Sequence, residues 1–417
     1  MNAKKLDRMK PSGVPWLGDI PAGWDTLFLV QLAAQVKNRN SDLAETNLLS
    51  LSYGKIKRKD IDSPDGLLPA SFDGYNIIEK GDVVLRLTDL QNDQTSLRVG
   101  RSEERGIITS AYTTVHPRNA DFAPYLFYAL NAFDLAKGFY GMGSGVRQGL
   151  NWSEVKRLRV PFPPLPEQRA IADFLDAKCA AIDAIVEEAK SGIEEYAKWK
   201  QSVVFQAVTK GLDPHAKMKD SGVEWIGEIP EEWKVSRVKN EFDCLDYLRE
   251  PISAENRENK LGLYDYYGAS GVIDKIDHYN VDDRVLLIGE DGANLRLRNL
   301  PLVYRASGKF WVNNHAHILK EKDGNDYGYF AYALEAGDYN PVITGSAQPK
   351  LSQSNLMAFP IAVPPLPEQR AIAAYLDEKC SSIDALIEEK KNLIEDLGTY
   401  KKSLIYETVT GKRSVAK

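Results

Sequence analysis

The sequence predicts an α/β (α+β) protein in which two mixed α/β domains are separated by two long helices that form an antiparallel coiled coil with pseudo-twofold symmetry. Three observations predict it: a ten-residue string that occurs twice, a heptad pattern after each copy, and turn-rich segments with short β-like runs before each copy. A chain of 417 residues is also longer than one hydrophobic core usually organises.

The ten-residue string PPLPEQRAIA occurs twice, 201 residues apart. It belongs to a longer repeat, since 163–190 and 364–391 match at 20 of 28 positions without a gap. A second motif, SGVxWxGxIPxxW, occupies 12–24 and 221–233, at an offset of 209. The order of short motif, variable segment and shared helix therefore occurs twice.

Each shared segment carries the start signal of a helix. In Leu-Pro-Glu-Gln the proline can occupy the first turn, where its missing N–H costs nothing, and the glutamate complements the positive end of the helix dipole. Apolar residues then recur in steps of three and four over about five heptads, which is typical of a coiled-coil seam. Gly211 and Gly411 follow as stop signals, so each helix is about 65 Å long. The seam positions are Leu175, Ile182, Val186, Ile193, Leu376, Ile383, Ile387 and Ile394.

Two lysines, Lys200 and Lys401, interrupt the seam at equivalent positions. A polar residue at a seam position can fix the register or orientation of a coiled coil. A lysine near a helix end can instead extend its ammonium group into solvent. The sequence leaves both interpretations open.

The repeat divides the chain into alternating globular and helical parts. The variable segments contain β-rich runs such as GDVVLRLTDL and DDRVLLIGED, and short helices are expected at 123–133 and 327–337. We expect two domains that share a fold but not a surface. The predicted parts are a first mixed α/β domain at 1–164, spacer helix 1 at 165–210, a second mixed α/β domain at 211–365, and spacer helix 2 with the C-terminal tail at 366–417.

The charge balance constrains a nucleic-acid partner. The net charge is −6; residues 1–164 carry 21 basic and 18 acidic side chains, whereas 211–365 carry 17 and 24. A DNA-binding surface must therefore be local, or other subunits must supply much of the positive charge.

The remaining composition points to an intracellular protein without a metal site. No stretch approaches the roughly 18 apolar residues of a membrane span, and Met1–Lys10 is polar and basic, so a cytoplasmic location is expected. The three cysteines are far apart, which favours buried thiols over a disulfide framework or a zinc ribbon. His315 and His317 would share one face of a strand, and a structural or contact role is expected for them rather than metal binding.

With both motifs duplicated, the chain resembles a specificity (S) subunit of a type I restriction-modification system, over nearly its full length. Segments of the second variable part also resemble that family's target-recognition domains: YYGASGVID at 266–274, NNHAHIL at 313–319 and GSAQPKL at 345–351. In the first part, GSGVRQGL at 143–150 departs in the placement of its glutamine.

The resemblance implies a non-catalytic subunit that recognises a bipartite, asymmetric target in double-stranded DNA. It implies two methyltransferase (M) subunits that methylate adenine, two restriction (R) subunits that translocate and cleave DNA, and no cofactor of its own. The sequence has neither an Asn/Asp-Pro-Pro-aromatic motif nor a phosphate loop, which agrees with this. The alternative is a coiled-coil scaffold or adaptor whose domains bind proteins, which the net acidity favours.

Candidate DNA contacts were chosen by side-chain chemistry. Arg and Lys suit guanine edges and phosphates, and Asn and Gln suit adenine edges. The candidates in the first domain are Tyr53, Lys55, Lys57, Arg58, Lys59, Arg86, Arg98, Arg101 and Arg147. Those in the second are Tyr267, Ser270, Arg296, Arg298, Asn314, Gln348 and Lys350.

Overall fold

The chain folds into two compact units. The computed structural model describes residues 8–61, 69, 71–93, 95–142, 149–258 and 260–415. Unit 1 comprises Met1–Ala189 and Asn392–Lys417, and unit 2 comprises Lys190–Lys391. The predicted division into recognition domains and spacer helices uses other boundaries and stays a prediction. Among the described residues, none of the helices has the length and apolar character needed to cross a membrane.

Unit 1 is built from short strands and a few helices. Its strands are β1 Met9–Pro11, β2 Asp19–Pro21, β3 Asp25–Phe28, β4 Ala33–Gln35, β5 Leu49–Ser52, β6 Lys55–Arg58, β7 Asn76–Ile78, β8 Val83–Leu85, β9 Val99–Arg101, β10 Gly106–Ile108, β11 Thr113–Pro117 and β12 Arg159–Phe162. Its α-helices are α1 Leu29–Leu32, α2 Ala123–Leu135, α3 Trp152–Val155 and the first part of α4 Leu165–Lys210. Short 3-10 helices span Ala120–Phe122 and Gly138–Gly141.

Unit 2 has longer strands. They are β13 Met218–Asp220, β14 Glu228–Pro230, β15 Lys234–Arg237, β16 Phe242–Cys244, β17 Tyr264–Gly268, β18 Gly271–Ile276, β19 Val281–Gly289, β20 Val303–Val312, β21 Ala316–Glu321 and β22 Pro360–Val363. Its α-helices are α5 Val238–Glu241, α6 Ala254–Glu258, α7 Asn294–Leu297, α8 Tyr327–Ala336, α9 Gln353–Ala358 and the first part of α10 Leu366–Val409. Its 3-10 helices span Asp246–Leu248 and Asn340–Val342. The short helices expected at 123–133 and 327–337 are confirmed as α2 and α8.

The two units share one strand order. Strands β4, β11, β8 and β9 of unit 1 lie side by side and antiparallel, and β16, β21, β19 and β20 of unit 2 repeat this order. In unit 2 the sheet continues through β17, which runs parallel to β20, and β18. The pairs β3 with β12 and β15 with β22 also correspond. The prediction of a shared fold is confirmed at this level.

The central strands are apolar because both faces are covered. Val83, Val84 and Leu85 of β8 are fully buried, as are Leu286 and Ile288 of β19. Such strands read as continuous apolar runs rather than as an alternating pattern. The β-rich runs GDVVLRLTDL and DDRVLLIGED are thereby confirmed as strands β8 and β19.

The two long helices run antiparallel within each unit. In unit 1, Asp183 of α4 contacts Lys401 of α10, 2.5 Å apart. In unit 2, Lys200 of α4 contacts Asp384 of α10, and Gly211, just past the end of α4, lies beside Glu368 in the first turn of α10. The predicted antiparallel pairing is confirmed within each unit.

The predicted seam residues differ in burial along the helices. Leu175, Ile182, Leu376 and Ile383 are buried. The two seam residues nearer the middle of each helix are half-buried: Val186 and Ile193 in α4, and Ile387 and Ile394 in α10. Leu175, Ile182 and Leu376 lie where the globular part of each unit also packs on the helices.

In each unit the short repeated motif contacts the start of the long helix through a hydrogen bond, which explains why both segments are repeated together. The indole Nε1–H of Trp24 donates to Glu167 Oε2 at 2.9 Å, and Trp233 donates to Glu368 Oε2 at the same distance. Both rings are almost fully buried. Each repeat therefore preserves one half of a tryptophan–glutamate contact.

The glycines after the helices end them as predicted. Gly211 and Gly411 have φ values of 74° and 72°, in the left-handed region that favours glycine.

All three cysteines are free; Cys179 and Cys380 are buried as expected, whereas Cys244 is only half-buried.

Candidate nucleic-acid interface

A β-hairpin of unit 1 presents an exposed aromatic ring. Pairing of Ser52 with Lys55 leaves only Tyr53 and Gly54 in the turn between β5 and β6. Their φ values are 48° and 75°, as a type I′ turn requires. Tyr53 is 81% exposed, so the hairpin holds its ring at the tip.

The lysines of this hairpin differ in their partners. Ile56 packs in a small core, so Lys55 and Lys57 lie on the opposite face of β6. Lys55 Nζ lies 3.0 Å from Asp183 of α4. Lys57 and Lys59 are exposed, and neither forms an ion pair with another residue of the described chain. These two ammonium groups are available to an anionic partner.

Arg58 is occupied by a carboxylate. Its Nε donates to Glu104 Oε1 at 2.8 Å, and this hydrogen bond raises the pKa of Arg58 and lowers the pKa of Glu104. The charge of Arg58 is thereby balanced locally. Arg147, another predicted contact, lies outside the described residues.

The DNA contact predicted for Arg98 is wrong, because the side chain is buried. It is 0% exposed, and its Nη1 donates to the carbonyl oxygens of Arg86 and Thr88 at 3.0 and 2.8 Å. Its Nη2 reaches the carbonyl of Asp89 at 3.2 Å, and its Nε reaches the Tyr140 hydroxyl at 3.0 Å. A guanidinium whose donors are used inside the unit cannot contact bases, so Arg98 organises the loop after β8 instead.

The two other predicted arginines of unit 1 are also paired. Arg86 lies 3.5 Å from Asp93. Arg101 lies 3.0 Å from Glu103 and 3.4 Å from Asp176 of α4, and its side chain is largely buried. Among the described candidates of unit 1, the structure therefore leaves Tyr53, Lys57 and Lys59 as exposed and uncommitted.

In unit 2, two loops that carry predicted contacts are joined through one glutamate. The N–H of Glu290 donates to the His315 carbonyl at 2.9 Å, and the Glu290 carbonyl accepts from the N–H of Leu351 at 2.7 Å. Glu290 thus connects the turn at 313–315 to the loop at 344–350. The exposed predicted contacts on these loops are Asn314, Gln348 and Lys350.

The loop at 344–350 is a tight turn. Thr344 and Lys350 exchange backbone hydrogen bonds of 2.9 and 2.8 Å. Gly345 has a φ of 80°, and a Cβ there would lie 2.3 Å from the Gln348 carbonyl oxygen. Only glycine fits this approach, and the turn leaves the Gln348 side chain exposed.

Glu290 also binds two basic side chains. Its Oε1 accepts from Lys350 Nζ at 2.9 Å, and Arg249 Nη1 contacts Oε2. Burial opposes ionisation of this carboxyl, but the hydrogen bonds from Lys350 and Arg249 outweigh it and lower the pKa of Glu290. The same contact raises the pKa of Lys350.

A buried histidine lies next to this pair. His317 is 0% exposed; its Nδ1 lies 2.6 Å from Asp246 Oδ2 and its Nε2 lies 2.8 Å from the Leu351 carbonyl. Burial raises the pKa of Asp246, but hydrogen bonds from His317 and the N–H of Ile318 bring it below its usual value. The structural role expected of His317 is confirmed.

The shared face expected of the two histidines is wrong. His315 precedes β21 and is exposed, with its Nδ1 2.7 Å from Asp291. The alternation begins only at Ala316, where the strand starts.

Of three further predicted residues, Arg296 and Tyr267 contact the same loops. Ser270 is exposed in the turn between β17 and β18, and Arg296 Nη2 lies 3.5 Å from the Gly345 carbonyl. Tyr267 is half-buried, with its ring centroid 5.6 Å from that of Phe310, and its carbonyl accepts from the N–H that begins the turn at 313–315.

Arg298 is directed elsewhere. Its guanidinium donates to the backbone carbonyl of Glu335 in α8 and lies 3.4 Å from that residue's carboxylate. The carboxylate in turn accepts the N–H groups of Leu302 and Val303. Arg298 therefore joins α8 to the segment before β20, away from the two loops.

Sequence reasoning missed Asp246, Arg249 and Glu290. Asp246 and Arg249 lie about 40 residues before Glu290 in the sequence, and each looks like an ordinary surface charge when taken alone. The closely spaced histidines were the one local signal in this region. No group of three or more His, Cys, Asp or Glu side chains suited to a metal ion occurs in the described parts of the chain.

Comparison with known proteins decides the family. The model of the type I restriction modification DNA specificity domain matches residues 102–195 and 230–396, more than half of the chain. The chain belongs to the type I specificity-subunit family. The predicted resemblance is thereby confirmed.

Two relatives and a solved structure are consistent with this family assignment. A putative type I restriction enzyme MjaX specificity subunit from Methanocaldococcus jannaschii is 25% identical over 388 residues, covering 86% of this chain and 87% of the relative. A putative type I restriction enzyme specificity subunit from Haemophilus influenzae is 32% identical over 147 residues, covering 35% of this chain and 36% of the relative. A chain solved in work on complex assembly and conformational transition of the type I R-M system has a TM-score of 0.68 at 15% identity and supports the fold; the match covers 94% of this chain and 98% of that one.

Proposed function

We propose that this chain is the non-catalytic DNA-recognition subunit of a type I restriction-modification complex and recognises a bipartite, asymmetric target. The observation that carries the proposal is one strand order repeated in two units whose surface loops differ. A shared fold with unlike loops suits two related but different half-sites, since base contacts specify sequence.

We further propose that the recognition domains are 1–164 and 211–365, and that the helices at 165–210 and 366–417 set the distance between half-sites. Duplex DNA repeats about every 34 Å, so a helix of about 65 Å can span a fixed number of turns.

The helices also support two copies of one protein partner. Unit 1 exposes Ile185 and Tyr400, and unit 2 exposes Leu386 and Trp199. Ile185 corresponds to Leu386 and Trp199 to Tyr400, each at the repeat distance of 201 residues. The two units therefore present equivalent apolar surfaces. Exposed apolar patches on helices favour protein docking. We assign these surfaces to two M subunits that methylate adenine, with two R subunits joining the assembled complex.

The proposed DNA contacts are exposed predicted residues; Lys55 and Arg58 are left out because Asp183 and Glu104 bind them. They are Tyr53, Lys57 and Lys59 in unit 1, and Ser270, Arg296, Asn314, Gln348 and Lys350 in unit 2. The lysines suit phosphates, and Asn314 and Gln348 suit adenine edges. No cofactor is needed for this role.

Replacing one variable segment tests the proposal. Residues 234–362 are exchanged for the corresponding segment of a specificity subunit with another target, and the complex with its M and R subunits selects sites from random DNA. One half of the selected site should change while the other half and the spacing stay. A chain that copurifies with other proteins but selects no DNA sequence would favour the scaffold alternative.

A further inference from the structure

The side chains of Asp246, Arg249, Glu290 and His317 form what we call the buried ionic set of unit 2. Their side chains are between 0% and 16% exposed. They come from three segments: Asp246 begins a 3-10 helix and Arg249 follows it, Glu290 follows β19, and His317 lies in β21. The chain thus buries charges from distant positions at one place.

The hydrogen-bond pattern fixes the histidine ring. The Leu351 carbonyl can only accept, so His317 Nε2 carries a hydrogen. Its Nδ1 forms a hydrogen bond with Asp246 Oδ2 at 2.6 Å, so both ring nitrogens are engaged. Asp246, Glu290 at 3.9 Å, and Arg249, paired with both carboxylates, surround this ring.

The set holds both loops that carry exposed candidates. Arg249 Nη1 donates to the Ala316 carbonyl at 3.3 Å and approaches the Asn314 carbonyl at 3.5 Å. On the other side, His317 binds the Leu351 carbonyl and Glu290 binds Lys350 Nζ. Movement of any member would shift the backbone beside Asn314 or Lys350.

Buried ion pairs are poor sources of stability, because desolvation offsets the attraction between the charges. Their directional hydrogen bonds nevertheless define one geometry, and preorganised contacts reduce the entropy lost on binding. A paired, buried set between two exposed loops is therefore better explained by loop placement than by packing.

We propose that this buried ionic set positions Asn314 and Gln348 for base recognition, with Lys350 beside them for a phosphate contact, and so determines how strictly unit 2 selects its half-site. Its members are positioning residues that act through the loops. The inference rests on the proposed function and adds which buried groups control the accuracy of one half-site.

The test uses Glu290→Gln in the complete complex, with selection of sites from random DNA. The amide keeps the shape of the side chain but removes the charge that binds Arg249 and Lys350. One half-site should lose roughly tenfold in discrimination between correct and incorrect bases, while the other half-site keeps its preferences. General destabilisation would lower the active fraction without changing the preferred bases of one half only.

Glu335→Gln is the matched control. Glu335 is half-buried and likewise carries a hydrogen-bonded carboxylate, but it binds Arg298 and the N–H groups of Leu302 and Val303 rather than the two loops. It should leave both half-sites unchanged. Should Glu290→Gln fail to fold, Arg249→Lys keeps the positive charge but loses the guanidinium geometry, and the same result is expected.

Unchanged preferences in both half-sites, for a folded Glu290→Gln or Arg249→Lys complex, would overturn the inference. Equal loosening of both half-sites would do so as well. A wild-type complex that selects no sequence contradicts the proposed function itself, and this inference with it.

Discussion

Lys200 donates hydrogen bonds to both carboxylate oxygens of Asp384, at 2.7 and 2.6 Å. The equivalent residues in unit 1, Lys401 and Asp183, form the same contact at 2.5 Å. Both members are displaced by 201 residues, so the repeat encodes the pair as well as the helices. Of the two interpretations of the seam lysines, the one in which they fix register is favoured, since neither ammonium group is left to solvent alone.

The seam pair can be tested by charge exchange. Lys200→Glu places two carboxylates together and should lower the free energy of unfolding by about 1 kcal/mol. Adding Asp384→Lys should restore most of the loss. Urea unfolding measures both changes, with Lys198→Glu, an exposed helix position, as the near-neutral control. Failure of the second substitution to restore stability would show that the pair does not contribute.

The pH dependence of unit 1 follows from Asp183. Burial disfavours its charge, but hydrogen bonds from Lys401 and Lys55 outweigh this and lower the pKa of Asp183. A carboxyl with a lowered pKa stabilises the folded state above its unfolded pKa of about 4, and the contribution is lost as the pH falls through the folded value. Wild type should therefore be more stable than Asp183→Asn at pH 7, and urea midpoints should converge below about pH 4. A gap independent of pH would contradict this.

The helices, seam and repeated motifs could be predicted because their signals are local. Proline and glutamate at a helix start, a period of three and four, and a glycine stop all lie within one segment. The short helices α2 and α8 follow from the same kind of signal.

The site was predicted less well because its contacts are not local. Nothing near Arg98 indicates that the carbonyls of Arg86 and Thr88 will surround its guanidinium. Likewise, Arg249 and Glu290 lie together because β21 pairs with both β16 and β19, the strands that precede them. Side-chain chemistry identified the exposed residues Lys57 and Gln348, but it could not separate them from a buried arginine.

The exposed lysines of the β5–β6 hairpin should contribute phosphate contacts. Replacing Lys57 and Lys59 with Ala should weaken DNA binding and reduce the slope of log affinity against log salt by up to about 0.9 per lost contact. Lys55→Ala is the control, because the Lys55 ammonium group is held by Asp183 of α4. Titrations at several salt concentrations measure the slope; an unchanged slope in the double variant would remove this hairpin from the contact surface.

The helices should set the spacing between half-sites. Inserting four residues in both 187–200 and 388–401 lengthens each helix by about 6 Å, or about two base pairs. Site selection by the complex should then return half-sites with a wider gap. The same insertion in one helix only should separate the seam pairs and prevent assembly. Retention of the original gap by the doubly lengthened protein would rule out the helices as the spacer.

The central claim is that this chain directs adenine methylation to one split target. Genome-wide mapping of methylated adenines in cells with and without the gene tests it most directly. We predict that a single motif, with two unlike half-sites at a fixed distance, loses methylation when the gene is deleted and regains it when the gene is restored. An identical methylation pattern in both cell lines, with the M subunits present, would contradict the account.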